Sequence, residues 1–293
     1  MDQASSLRRI VHETSLPTRK ARVLSVTSGK GGVGKTNVSI NLACALAEKG
    51  RQVYLLDADL GLANIDVLLN LTPAYTIEHV LSGEKHLREI VVDGPSNIKV
   101  LPSSSGVVEL ADLGEEDQQR LIFMLEELED SIDYLIIDTG AGISSGVLRF
   151  NVSADEVLLV ATPDPSSLTD AYSTIKVMVN RYNVRSFNLI ANSVSSQEEG
   201  RSVFERLQKV TRDFLQVELN YLGFIPRDTD LAKSVRMQKP LLEAFPQSPA
   251  AKSIRALAHR LDQSTLSNTP LSDASFEDAP RFWERFLQWK ERK

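Results

Sequence analysis

Residues 25–37 read SVTSGKGGVGKTN, and no other stretch restricts the fold of this chain so strongly. Inside it, GKGGVGKT (29–36) fits the pattern G-x-x-x-x-G-K-[ST]. It follows an apolar run, RVLSVT (22–27), and opens a helical pattern with Val38, Leu42, Ala45 and Leu46 on one face. Strand, glycine turn and helix in that order make a loop whose backbone N–H groups curl around an anion at a helix N-terminus. Gly29, Gly31, Gly32, Val33, Gly34 and Asn37 line such a loop. Lys35 then meets the β- and γ-phosphates of a nucleotide, and Thr36 holds Mg²⁺ through its hydroxyl. A phosphate loop needs one lysine. This one has a second, Lys30, five positions earlier.

A loop of this kind sits at the end of a buried parallel strand, and the chain supplies the rest of the sheet. VYLLDAD (53–59), IKVLP (98–102), YLIIDT (134–139), EVLLVAT (156–162), FNLIANS (187–193) and YLGFIP (221–226) read as further strands. Several are apolar almost throughout, as strands buried on both faces must be. Helical stretches lie among them at 36–49, 116–130, 167–182 and 200–216. The rhythm predicts an α/β fold: a doubly wound, mostly parallel β-sheet flanked by helices on both faces.

Composition narrows the function classes. The 293 residues carry a formal net charge of −6, which gives no general pull toward nucleic acid. The single cysteine, Cys44, lies in an apolar helical stretch and rules out an internal disulfide or a cysteine-built metal cluster within one chain. Histidines 12, 79, 86 and 259 are scattered and fall into no ligand spacing. No signal peptide or membrane-spanning run is apparent, so a cytoplasmic address is expected.

Two acidic motifs complement the loop. YLIIDT delivers Asp138 to the C-terminal end of an apolar strand, the Walker B pattern, where it reaches a metal directly or through water. TGAG follows, placed to sense a γ-phosphate. DADLGLANID (57–66) ends another strand with Asp57 and Asp59, spaced to share a face. One of them could orient an attacking water; alternatively, both cap a turn.

These residues together resemble the deviant Walker A ATPases, which include MinD, ParA, the nitrogenase iron protein and the arsenite-pump ATPase. Lys30 carries the likeness. The resemblance implies that it reaches across an ATP-bound homodimer to the partner's nucleotide, coupling pairing to the γ-phosphate. It also implies that Asp59 orients water for hydrolysis, that Asp57 lies in the outer shell of Mg²⁺, and that Asp138 is the Walker B acid. Asn192 falls where the family reads the adenine edge. In IPRD (225–228), Pro226 and Asp228 fall on the other side of the base. Within the family the chain most resembles flagellar-number regulators of the FlhG/FleN type. DADLGLANIDVLLNL, SLTDAYSTIK, EEGRSVFERLQKVTRDFL and EAFPQSPA carry that likeness, as does DTGAGI, where Gly140 replaces a usual alanine and should loosen the loop after Asp138. A DNA-segregation ATPase of the ParA type and a Min-type cell-division-site regulator share the same nucleotide chemistry. A non-hydrolysing adaptor that uses nucleotide only to fold is a further alternative.

The two ends differ from the body, residues 21–263, which reads as the ATPase domain. Residues 1–20 precede the first strand. Their DQASSLRR (2–9) is similar to the activator motif of FlhG-type proteins, implying that Asp2, Gln3, Ala4, Leu7 and Arg8 stimulate the signal-recognition-particle-type GTPase FlhF; the plain reading is a frayed terminus. Residues 249–263 read as a helix with Ser248 at its N-cap and Pro249 at its first position. Residues 264–279 are polar and read as a linker. PRFWERFLQWKERK (280–293) then spreads Phe282, Trp283, Phe286, Leu287 and Trp289 over one side of a helix, with charges on the other. That pattern suits a bilayer interface, with Lys290 and Lys293 reaching headgroups; the alternative is permanent packing on the body. The resemblance implies reversible binding to the cytoplasmic face of the inner membrane, and contacts with flagellar C-ring proteins and a flagellar transcriptional regulator. No nucleic acid is expected.

Overall fold

Val23, Leu24 and Val26 are all fully buried, although successive strand residues point to opposite faces. Such a strand must be covered on both sides. The computed structural model, which describes residues 21–59, 64–76, 79–80, 82–102, 131–267, 281–290 and 292, places it near the middle of a sheet. The strands are β1 (Arg22–Ser28), β2 (Val53–Ala58), β3 (Val92–Asp93), β4 (Lys99–Leu101), β5 (Tyr134–Ala141), β6 (Glu156–Ala161), β7 (Phe187–Val194) and β8 (Asn220–Pro226). The helices are α1 (Lys35–Ala47), α2 (Ile65–Leu68), α3 (Leu87–Ile90), α4 (Ser145–Ser153), α5 (Pro165–Tyr182), α6 (Gln197–Leu215), α7 (Thr229–Arg236), α8 (Leu241–Ala244), α9 (Pro249–Ser267) and α10 (Phe282–Gln288).

Among the described residues the sheet has eight strands in the order β3-β4-β2-β5-β1-β6-β7-β8. Every neighbouring pair is parallel except β3–β4. The doubly wound, mostly parallel sheet expected from the sequence is therefore present, with all seven strands read there. The order reverses about β1, which lies between β5 and β6. A crevice opens at such a reversal, outside the C-terminal ends of the strands, and the glycine loop emerges there.

Alternate strand residues feed two layers. Leu24, Val26, Leu55 and Ile136 join α1 and α9 on one face. On the other, Val157, Leu159 and Leu189 pack under α5 and α6. Val23, Leu56, Leu135 and Ile137 pack beneath Phe150 of α4 and three residues of α10: Phe282, Trp283 and Phe286. The free edge of β8 is covered from α9, where Ser253 Oγ donates to Phe224 O and Arg260 Nη1 to Leu222 O. Covering an edge in this way suppresses strand addition.

Two features depart from the sequence reading. The short helix α4 was not anticipated: Arg149, Asn151 and Ser153 are buried on it, so its polar residues erase the apolar period. Helix α9 runs to Ser267, four residues into the stretch read as linker, with Ser248 Oγ accepting from Ala251 N at its start as expected. The acidic helical stretch at 116–130 and the segment 1–20 lie outside the described residues.

The C-terminal aromatic helix is docked on the body. Phe282, Trp283 and Phe286 are at most 3% exposed. The Phe150 and Phe286 ring centroids are 4.6 Å apart, and Trp289 stacks on Tyr182 of α5 at 5.6 Å. Leu287 packs at the margin of the same cluster. Burying each such aromatic contributes roughly 1.5–3 kcal/mol. Among the described residues no helix is long and apolar enough to cross a membrane.

Beneath the sheet, at the end away from the crevice, Asp262 pins α9 in place. Its Oδ1 accepts from Arg51 Nε at 2.8 Å and from the buried Tyr134 hydroxyl at 3.2 Å, and Lys49 Nζ is 3.5 Å from Oδ2. Burial opposes its charge, but these donors and cations outweigh burial and hold its pKa below the ordinary value. Its contribution to stability is therefore present above the ordinary carboxylate pKa and fades as pH falls through the lower folded value. Asp262→Ala should cost roughly 2–3 kcal/mol. Urea unfolding at neutral pH should show a lower midpoint with an unchanged slope, and the difference from wild type should shrink in acid.

Candidate nucleotide-binding site

The loop after β1 is shaped by what its glycines allow. Gly32 and Gly34 have φ of 75° and 94°, in the left-handed region. Gly34 is the N-cap of α1, so the first N–H groups of that helix receive no side-chain cap and face the crevice for an anion. Gly29 lies against α5: a Cβ there would stand 2.1 Å from the Asp170 carbonyl carbon. Only glycine fits. Ser28 Oγ closes the turn by donating to Lys30 O at 2.7 Å. Val33 is buried, while Gly31 and Gly32 are exposed at the tip, and Thr36 and Asn37 lie half-buried in the first turn of α1.

Behind this loop stands a desolvated charge cluster. Lys35 is buried, and burial lowers its pKa against the charges of Asp138 and Asp59. Asp138, at the end of β5, is 1% exposed. Its Oδ1 accepts from Ser39 Oγ at 2.8 Å, and Ser39 also bonds Lys35 O at 3.1 Å. Burial raises the Asp138 pKa to about 7, though hydrogen bonds from Thr36 and Ser39 pull the other way. Asp57 is its register partner on β2. Both Asp57 oxygens are engaged: Oδ1 by Asp59 N at 3.1 Å, Oδ2 by Asn64 N at 2.9 Å and Ile65 N at 3.1 Å. Burial still raises its pKa. Asp57 thus ties the chain on both sides of residues 60–63, which lie outside the described residues.

Asp59 lies at the rim, half-buried, beside the start of the loop after Asp138. A Cβ at Gly140 would be 3.4 Å from Asp59 Oδ1 and 3.2 Å from Val147 Cγ2. The space beside the glycine is slightly too tight for a methyl group, which would press on Val147 of α4.

The two lysines of the loop have opposite surroundings. Lys35 points inward. The Lys30 side chain is 41% exposed and lies over the N-terminus of α5, with Nζ 2.5 Å from Ser166 Oγ and 3.6 Å from Asp164 Oδ2. Asp164 is the N-cap there, accepting from Ser166 N at 2.7 Å. Toward the base end, Asn192 on β7 gives its Nδ2–H to Val33 O at 2.7 Å and so braces the loop. Pro226 ends β8, half-buried. The Asp228 carboxylate caps two helices, through Asp230 N at 2.9 Å and Ala250 N at 3.0 Å.

The fold thus brings Gly29 to Asn37, Asp57, Asp59, Asp138 and Asn192 to one crevice. Asp2, Gln3, Ala4, Leu7 and Arg8 lie outside the described residues. Sequence reasoning missed Ser39, which bridges Lys35 and Asp138. Its i+4 position from Lys35 on the inner face of α1 was the available signal. It also missed Asp164 and Ser166 as neighbours of Lys30, because a contact across 134 or 136 positions leaves no local pattern. Among the described residues no group of three or more His, Cys, Asp or Glu has the arrangement of a metal site built from protein alone. A divalent ion shared with phosphates fits better: a buried carboxylate with a pKa near 7 has its charge unbalanced until a cation arrives.

Comparison with known proteins agrees with this fold. A family model described as ParA, NUBPL iron-transfer P-loop NTPase, matches residues 19–262. The antiactivator FleN of Pseudomonas aeruginosa is 44% identical over 267 residues, 91% of this chain and 94% of that one. The flagellum site-determining protein YlxH of Helicobacter pylori is 37% identical, covering 92% and 90%. Among solved structures, the MinC:MinD cell division complex of Aquifex aeolicus superposes with TM-score 0.67 at 30% identity, over 86% of this chain and 99% of that one. MinD of Pyrococcus horikoshii, complexed with Mg-ADP, gives 0.65 at 26%, over 84% and 97%.

The state of Asp138 is open to measurement. The folded protein retains its proton to about pH 7, while the unfolded chain releases it near 3.8. Folding stability without metal should therefore fall as pH rises through that window. Asp138→Asn should flatten this slope and gain on the order of 2 kcal/mol at pH 8 without metal. The same variant should lose the rise in melting temperature that Mg²⁺ and ATP give the wild type.

Proposed function

Because the chain belongs to the ParA/MinD family of P-loop NTPases, we propose that this ATPase is a dimerising switch that sets flagellar number and placement from the cytoplasmic face of the inner membrane. One observation carries the reading: the loop's two lysines part company, Lys35 buried in its own cradle and Lys30 out on the rim. A cation at the rim has no nucleotide of its own subunit to serve. In this reading it meets the phosphates of a second copy.

The residues divide the work accordingly. Gly29, Gly31, Gly32, Val33 and Gly34 wrap the phosphates, Lys35 balances their charge, and Asn37 lines the first turn. Bound Mg²⁺ supplies further charge neutralisation at the β- and γ-phosphates; Thr36 and Asp138 are the residues to hold it, with Asp57 behind them. Asp59 orients the attacking water. Asn192 keeps its carboxamide oxygen for the adenine amino group while its N–H braces Val33 O. Pro226 and Asp228 border the base. Lys30 leaves Ser166 and Asp164 when the partner's nucleotide is near. Both contacts are exposed and screened by solvent, so they yield readily.

The flagellar role draws support from the relatives named as an antiactivator and a flagellum site-determining protein. In this reading the N-terminal DQASSLRR stimulates a flagellar GTPase of the FlhF type, and C-ring proteins and a transcriptional regulator are further partners. Helix α10 is the membrane-seeking element, and it must leave the body to act. Two such helices on one dimer bind a surface far more tightly than one.

Mass measurement in solution tests the switch. With Mg²⁺ and a non-hydrolysable ATP analogue the protein should be a dimer, and with ADP a monomer. Lys30→Ala should weaken the dimer at least about tenfold. Asp59→Ala should keep the dimer while lowering turnover about 100-fold or more. A protein that stays monomeric with the analogue, or pairs without nucleotide, overturns the reading. Removing residues 280–293 should abolish sedimentation with anionic liposomes and leave nucleotide affinity unchanged.

A further inference from the structure

We propose that Gln238 is a positioning residue for ATP hydrolysis: it clamps the far end of α2 and so steadies the arm that carries Asp59. In this role Gln238 deepens the reading given to Asp59 above and rests on it.

Asp57 holds the near side of this arm, receiving Asp59 N at 3.1 Å, Asn64 N at 2.9 Å and Ile65 N at 3.1 Å. Helix α2 adds little rigidity of its own. It has four residues, its N-cap Asn64 makes no side-chain capping bond, and Ile65 is its one buried residue. A single turn of this kind is unstable in water. Val67, on the outer side, is 58% exposed. The Val67 carbonyl is one of the last of the helix, which have no partner within it. It accepts a long bond from Asn70 N at 3.3 Å and a much shorter one from Gln238 Nε2 at 2.7 Å. The side chain that crosses from position 238 is thus the firmer partner at the far end.

Gln238 itself stands on a fixed frame. Helix α7 closes with Gln238 N on Val235 O at 3.0 Å and Lys239 N on Ser234 O at 3.1 Å. That closure leaves Gln238 left-handed, with φ of 52°, at a position where glycine is usual. The chain then passes through the buried Pro240 to Leu242, whose N–H donates to Asn41 Oδ1 at 3.2 Å. Asn41 is 1% exposed and gives its Nδ2–H to Asn37 O, in the first turn of α1, at 2.8 Å. At its other end α7 is capped by Asp228. The glutamine therefore reaches to α2 from a support shared by α1 and α7. A glycine at 238 would suit the backbone better, but it would have no side chain to make the reach.

That contrast supplies the test, made on the full-length chain. Gln238→Gly should fold and melt as wild type does. With Mg²⁺ and ATP its kcat should fall about fivefold, with KM within about twofold of wild type, because the loss is in placement and not in nucleotide binding. Hydrogen exchange should quicken at the amides of Leu68 and Leu69, which bond Asn64 O and Ile65 O in α2. Gln238→Lys keeps a donor of similar reach and should restore most of kcat. In the Asp59→Ala background Gln238→Gly should add no further loss, since both changes act through one carboxylate. An unchanged kcat in Gln238→Gly overturns the clamp. So does a loss that Gln238→Lys fails to restore, or one repeated in full on top of Asp59→Ala. Normal turnover in Asp59→Ala sinks the role of that carboxylate instead; quickened exchange at Leu68 and Leu69 in Gln238→Gly then still sustains the tie to α2, and unchanged exchange removes it.

Discussion

Three charges taken out of water at the ends of β2, β5 and α1 organise this molecule. Lys35, Asp57 and Asp138 are all buried, and each is there at the cost of its hydration. They are tolerable because the Lys35 and Asp138 charges offset one another and because backbone N–H groups and Ser39 supply hydrogen bonds, while the two carboxylates oppose each other. The balance is still incomplete, since burial leaves the Asp138 carboxyl with a pKa near 7. A divalent cation shared with phosphate would relieve that imbalance. The sheet order, the glycine cradle and the tie from Asp57 to the chain around residues 60–63 all serve to keep those charges in register.

Communication from the site follows from the same packing. The strand that ends in Asp138 runs on into α4, and α4 is the floor on which α10 rests. The carboxylate near the C-terminal end of β5 and the aromatic packing on one face of the sheet are thus joined through α4. The aromatic side of α10 suits a bilayer for the reason that it suits this face: both offer an apolar surface bordered by polar groups.

Legibility in the sequence varied with how local the cause was. The phosphate loop was plain because strand, glycines, lysine and helix are contiguous. The strands were plain because burial on both faces leaves near-continuous apolar runs. Asp57 and Asp138 were readable as carboxylates ending strands, yet their pairing across β2 and β5 depended on sheet order. Helix α4 was invisible, since Arg149 and Asn151 occupy buried positions and break the period by which helices are recognised. The contacts of Lys30 with Asp164 and Ser166 were equally hidden.

By itself the sequence determined the fold class, the phosphate cradle and the family, because each rests on residues close together in the chain or on periodic burial. Tertiary structure alone decided which lysine turns inward, what braces the loop through Asn192, and where the aromatic C-terminal helix lies. Those outcomes depend on desolvation and on contacts between distant segments, and the energy of a buried charge or ring is set by what surrounds it rather than by its neighbours along the chain.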